Sequence, residues 1–183
     1  MLNHPDEFFS YLRENLYYPA AKPNLAHLAL ARLESSHPNV TVITQNIDGL
    51  HQAAGSKQVL EVHGSLQRFY CMKCKRDYLA ELVWEGEGVP LCPACQGMIR
   101  PDVVLYGEML DEKVMQQAQS AIRRADLMIV GGTSLVVYPA AGLLRFFHGK
   151  TLVLINHDPT PYDGMATYVF REDLGKLLDK AIS

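Results

Sequence analysis

This chain of 183 residues has no cysteine outside two Cys-x-x-Cys pairs, a single tryptophan and no repeat or low-complexity tract. It also has no long run of one charge sign. Seventeen Lys and Arg stand against 20 Asp and Glu, a formal net charge of −3, so nothing in it draws the whole molecule to nucleic acid or an anionic membrane. The absence of repeats, with 48% hydrophobic and 20% charged residues, fits one globular domain, or one carrying a small insertion. An uninterrupted membrane-length apolar run is missing too. Residues 127–144 carry no charge, but Gly131, Gly132, Thr133, Ser134 and Pro139 break them, so a strand, a glycine turn and a buried helix are expected instead.

The cysteines that are present are informative. Cys71 and Cys74 form one pair, Cys92 and Cys95 the other, with residues 75–91 between them. A Cys-x-x-Cys turn lets two sulfurs reach one ion, and two such turns complete a tetrahedral tetrathiolate site, so one structural zinc ion is expected. The chain is large enough to bury a core without disulfides, which favours metal binding in a reducing compartment. Such a site is coordinatively closed. It should hold a small lobe together rather than catalyse. A redox Cys-x-x-Cys explains only one of the pairs. A nucleic-acid-binding ribbon is disfavoured because Glu81, Glu85 and Glu87 offset Lys73, Lys75 and Arg76.

Elsewhere the pattern alternates. Pro5, Asp6 and Glu7 open a helix over 5–18, and Pro23-Asn24 opens a second. Residues 40–44 and 58–62 read as strands. A loop and short helix lie between them. Residues 100–110 read as partly extended, 111–125 as a helix, 127–130 as a strand, and the segment through 139–147 as a helix. Residues 151–155 form a strand, 166–170 an edge strand, and 171–182 a last helix. Strands alternating with helices imply a mainly parallel sheet covered on both faces. Ligands in such folds bind outside the carboxyl ends of the strands. Four polar or glycine-containing strand tails, at Gln45–Asp48, His63-Gly64, Gly131–Ser134 and Asn156, are expected along one edge of one sheet. His27, His37, His51, His148 and His157 read as packing or surface residues, and Trp84 as packing in the small lobe.

In order along the chain stand TQNIDGLHQAAG, EVHGS, the two cysteine pairs, RPDVVLYGE, VGGTSLVVYPA and LIN. This succession resembles the sirtuin family of NAD-dependent protein lysine deacylases. The resemblance implies a Rossmann-like domain of residues 1–65 and 100–183, with helices on both faces of its sheet, and a small zinc-ribbon-like module at 66–99. It implies His63 as general base on a ribose hydroxyl, a task that suits histidine's near-neutral pKa. Asn46 and Asp48 match the nicotinamide pocket, with Gln45 and Ile47 in the same NAD-contacting segment. Gly131, Thr133 and Ser134 match a second cofactor element, Asn156 the adenosine ribose contact, and Asp173 a segment against the adenine. Val103, Val104, Gly107 and Glu108 match the strand that pairs with the substrate peptide.

The implied reaction consumes NAD as co-substrate. It takes an acyl group, acetyl foremost, from a protein lysine and gives nicotinamide and O-acyl-ADP-ribose. No direct contact with nucleic acid or membrane is implied, and the cytoplasm is the expected compartment. One family element has no counterpart here. The glycine-rich loop that would hold the pyrophosphate is absent, since the only Gly-x-Gly, Gly86-Glu87-Gly88, lies between the cysteine pairs. A sheet without its first strand, and weak NAD binding by these residues alone, are therefore expected. The competing readings are a zinc-stabilised binding module without activity and a protein ADP-ribosyltransferase.

Overall fold

The computed structural model describes residues 3–182. In chain order the elements are α1 (Pro5–Leu16), α2 (Leu25–Ser36), β1 (Val42–Thr44), α3 (Leu50–Ala53), β2 (Val59–Glu61), β3 (Gly64–Cys71), β4 (Asp77–Leu79) and α4 (Glu81–Trp84). They continue with β5 (Ile99–Val103), α5 (Glu112–Arg124), β6 (Leu127–Gly131), a 3-10 helix (Ala140–Phe146), β7 (Thr151–Ile155), a 3-10 turn (Asp163–Met165), β8 (Tyr168–Phe170) and α6 (Leu174–Ala181). Two compact units emerge. One holds the described residues up to Lys22, Asn46–Gly49 and His63–Glu108. The other holds Pro23–Gln45, Leu50–Val62 and the described residues from Met109 onward.

Local signals set the helix starts. Pro5 sits at the opening of α1, with Asp6 and Glu7 in the first turn where the helix dipole favours negative charge. Asn24 caps α2 by accepting from the N–H groups of Ala26 (3.0 Å) and His27 (3.3 Å). The Nδ1 of His27 returns the bond by accepting from the Asn24 N–H (3.2 Å), so a histidine fills the capping-box position usually held by Glu or Gln. Asp111 caps α5 through Val114 N–H (2.9 Å), and Arg123 and Arg124 close that helix.

In the second unit β6, β7 and β8 form a parallel ladder in which Leu127–Gly131 pairs with Thr151–Ile155, and β8 lies at the edge as expected. Side-chain alternation gives each face its own core. Ile129, Val153 and Ile155 pack with Ala26, Ala29 and Leu30 of α2 and Leu174, Leu177 and Leu178 of α6. Val130, Leu152 and Leu154 pack with Leu135 and Leu144. The apolar stripe of α5, namely Val114, Met115, Ala118 and Ile122, packs with Ile43, Leu60, Val62, Ala140 and Leu143.

Two expectations need correction. The parallel strands do not make one sheet: among the described residues β1–β2 and β6–β7–β8 are separate ladders. No described strand joins them. His63-Gly64 follows β2, whose carboxyl end pairs with that of β1, and leads on into β3 of an antiparallel sheet; the tails of β6 and β7 belong to the other ladder. The segment after Pro139 is a 3-10 helix rather than an α-helix. Gly142 lies in its middle, and Ala140 and Leu143 recur at a spacing of three.

Strand β3 itself has no counterpart in the sequence reading. Its register against β5 shifts between Ser65 and Phe69, so buried and exposed positions do not alternate and the period-two signal is lost. No helix among the described residues is long and apolar enough to cross a membrane.

Candidate functional site

In the first unit β3 pairs with β4 on one side and β5 on the other. Its core joins Phe9 and Leu12 of α1 to Phe69, Cys71, Val83, Cys92 and Ile99. Trp84 packs here as expected, stacked on Tyr17 at 4.8 Å and edge-on to Phe69 at 5.4 Å.

The two cysteine turns are built alike. Cys71 N–H bonds to Arg76 O and Lys75 N–H to Cys71 O. Likewise Cys92 N–H bonds to Gly97 O and Gln96 N–H to Cys92 O. The residue after each second cysteine, Lys75 or Gln96, has the left-handed backbone that closes the turn (φ 60° and 57°). Four sulfurs result, all within 4.8 Å of one another, with Cys71 3.5 Å from Cys95 and Cys74 3.7 Å from Cys92. Sulfurs about 2.3 Å from a tetrahedral zinc ion stand about 3.8 Å apart, so these residues fit the ion. The Tyr78 hydroxyl lies 2.8 Å from Cys92 Sγ. That hydrogen bond holds the Cys92 thiol down at about 6 and pushes the Tyr78 phenol up to about 12.

His63 is half-buried between β2 and β3. Three backbone features surround it. Val104 N–H donates to His63 O (3.0 Å), and Leu66 N–H donates to Ile47 O (2.8 Å). Gly64 then pairs with Val103 at φ +79°, where a Cβ would stand 2.0 Å from Asp102 O. Asn46 and Asp48 are exposed on the loop anchored by Ile47, whose side chain packs against the core, and Gln67 Nε2 donates to Asp48 O (3.3 Å). So the structure gathers His63, the Asn46–Asp48 loop and the Val103–Val104 segment into one unit. Gly107 (φ +87°) turns the chain beyond them, and the exposed Glu108 directs its carboxylate to Arg100. Nothing in the sequence marks Arg100 as the buried arginine it is.

The remaining candidates belong to the second unit. A cavity of about 410 Å³ lies at the carboxyl ends of β6 and β7 and the N-termini of α2 and α6. Gly132, Asn156 and Asp173 line it, together with Asn24, His157 and Glu172. His157, read from sequence as packing or surface, thus faces a cavity. Gly131, Thr133 and Ser134 adjoin Gly132 along the chain; neither they nor Gln45 are among its lining residues. Gly131 packs under Leu174, whose Cδ1 would stand 2.5 Å from a Cβ added there, so a larger residue would displace that side chain. Gly132 has φ +62° and donates to Ile155 O (3.1 Å). Asn156 Nδ2 donates to Asp158 O (2.9 Å), and Arg171 Nη1 donates to Asn156 O (3.2 Å). The glycine-flanked end of β6, the Asn156 end of β7 and two helix N-termini form a cradle that fits part of a dinucleotide.

Asp173 has a structural task besides any ligand contact. Its Oδ1 accepts from Lys176 N–H (2.7 Å) and caps α6. Asp173→Ala should lower stability by about 1 kcal/mol in urea unfolding while Asp173→Asn keeps most of it. Equal midpoints for the alanine variant and the unsubstituted chain would refute the cap.

A tetrathiolate zinc lobe, and a parallel α/β unit with a ligand cradle at its strand ends, define a nucleotide-binding protein with a structural metal module. The family model described as the Sir2 family matches residues 1–139. An NAD-dependent protein deacetylase of Clostridium perfringens is 52% identical over 180 residues, which cover 98% of this chain and 74% of that protein. A solved Sir2 structure with a p53 peptide and NAD+ superposes with a TM-score of 0.90 at 43% identity, over 98% of this chain and 78% of that one. Another, holding an inhibitor, 2′-O-acetyl-ADP-ribose and a deacetylated p53 peptide, gives 0.89 at 44% identity, over 98% and 80%. The chain belongs to the Sir2 family.

Proposed function

We propose that this protein removes acyl groups, acetyl foremost, from the lysine side chains of proteins and consumes NAD in doing so, with nicotinamide and O-acyl-ADP-ribose as products. The observation that carries the reading is the backbone stitching around His63. One bond ties it to Val104 and another ties Leu66 to Ile47, so general base, peptide strand and nicotinamide loop share one framework. The deacetylase name of a relative matched over nearly the whole chain supports it.

NAD, when bound, supplies a labile glycosidic bond and the ribose that receives the acyl group. The protein's part is then positioning and proton transfer. The His63 imidazole takes the proton of a ribose hydroxyl. Asn46 and Asp48, with Gln45 and Ile47, hold the nicotinamide side. Gly131, Thr133 and Ser134 approach the cofactor, and Asn156 and Asp173 take the adenosine side. Val103 and Val104 offer backbone to the peptide. Zinc on Cys71, Cys74, Cys92 and Cys95 is structural. Four cysteines committed to a metal suit the reducing cytoplasm, where we place the protein.

The test is nicotinamide release from NAD with an acetyl-lysine peptide. We expect release matched by loss of the acetyl mass, and a His63→Ala chain about 100- to 10,000-fold slower. Unchanged release in His63→Ala would refute the catalytic assignment. A mass gain on protein in place of acetyl loss would favour ADP-ribosyl transfer.

A further inference from the structure

We propose that Arg100 and Glu108 are positioning residues for the substrate peptide: their fork locks residues 103–108 into the shape on which an acyl-lysine peptide can pair. The inference rests on the functional reading above but concerns residues that reading gives no chemistry of this kind.

The Arg100 side chain is only 7% exposed, and its N–H groups are spent within one short segment. Nη1 donates to Glu108 Oε1 (2.6 Å) and Nη2 to Glu108 Oε2 (2.9 Å), a bidentate fork. Nη2 also donates to Val103 O (2.8 Å) and Nε to Pro101 O (3.2 Å). The guanidinium carbon lies 5.9 Å from the centre of the Tyr70 ring. Glu108 completes the closure. Its Oε2 accepts from Leu105 N–H (3.0 Å), and its own N–H donates to Leu105 O (2.9 Å) around the Gly107 turn.

This segment needs such a lock because little else holds it. Tyr106 is fully exposed and Met109 is 90% exposed, so apolar burial does not fix the chain past Leu105. Ordering free backbone costs conformational entropy at every residue. A partner strand that must order its template on arrival forfeits affinity to that cost, whereas a preformed template does not. The fork also lies on the strand whose next residues, Val103 and Val104, are tied to Gly64 and His63. Fixing the template therefore fixes it relative to the catalytic histidine.

The guanidinium hydrogen bond holds the Glu108 carboxyl below its usual range. For a depressed carboxyl, the stabilisation is complete above the unfolded-state pKa and is lost as pH falls through the folded-state pKa. The lock is therefore intact at neutral pH.

The test uses the zinc-loaded chain and direct binding of fluorescent acetyl-lysine peptides, one with basic and one with neutral flanking residues, read by anisotropy without NAD. Glu108→Gln keeps the size of the side chain and loses the ion pair; Arg100→Lys keeps the charge and loses the fork. Both should bind both peptides about tenfold more weakly, with zinc content unchanged. Among turnover parameters, the peptide KM should rise while the NAD KM holds. Wild-type binding by Glu108→Gln would overturn the proposal, as would no binding by the unsubstituted chain. Weakening confined to the basic peptide would also overturn it, since that marks direct contact by the Glu108 carboxylate. Failure of the deacylase reading shows separately, as peptide binding without nicotinamide release.

Discussion

A Gly64→Ala chain is expected to unfold at markedly lower denaturant and to lose peptide-dependent NAD cleavage. Two independent costs meet at this position. The backbone at φ +79° lies in the left-handed region, which alone costs an alanine about 1 kcal/mol. The added Cβ would also stand 2.0 Å from Asp102 O, 2.9 Å from Asp102 C and 3.0 Å from Val103 Cα. These are backbone atoms of β5 and no rotamer change moves them, so β3 and β5 must part at the Gly64–Val103 pair. The Val104 N–H to His63 O bond would go with it. We expect a loss of about 3 kcal/mol or more, the range of strained or overpacked core changes. Gly107→Ala is the internal control. It has a similar φ of +87°, but nothing lies within 4 Å of the added methyl, so only the conformational cost of about 1 kcal/mol applies. Urea midpoints for the two variants decide the matter. Equal losses would show that the close approach of β3 to β5 is not what makes Gly64 necessary.

Removing the metal should have the larger effect on the first unit. Cys71 and Cys92 are fully buried in the core that also contains Phe9, Leu12, Phe69 and Ile99. Without zinc, four thiols must crowd within 4.8 Å with no shared ion to hold them. Structural zinc contributes about 10 kcal/mol or more of apparent folding free energy in small modules, far above the stability margin of an ordinary domain. Cys92→Ser, or a chelator at neutral pH, is therefore expected to strip one zinc per chain and abolish the cooperative melting of this unit. Metal analysis beside thermal unfolding reads both. A zinc-free chain with an unchanged melting temperature would show that the sulfur cluster is not what holds the lobe.

The sequence made the helix starts and the metal centre legible because their causes are local. Asn24 and Asp111 bind backbone N–H groups two or three residues ahead, and each cysteine turn closes on itself within six residues. The strand 151–155 was readable to the residue because its apolar side chains are contiguous and buried against two cores. By contrast β3 is not legible in the sequence, since a bulge between Ser65 and Phe69 erases alternation. The burial of Arg100 is not legible either, because a buried guanidinium differs from any surface arginine only by its partners.

What the amino-acid order determined by itself was therefore the alternation of strands and helices, the tetrathiolate, the caps and the ordered motifs that mark the family. Those properties follow from residue type and near-neighbour spacing. Tertiary structure alone decided that the parallel strands stand in two ladders, that α1 completes the core of the cysteine lobe, and that Glu108 answers to Arg100. It alone decided that Gly64 is required by a carbonyl of β5. Each of these depends on which distant atoms meet when the chain packs, and a side chain's spacing along the sequence does not encode the identity of a partner reached through space.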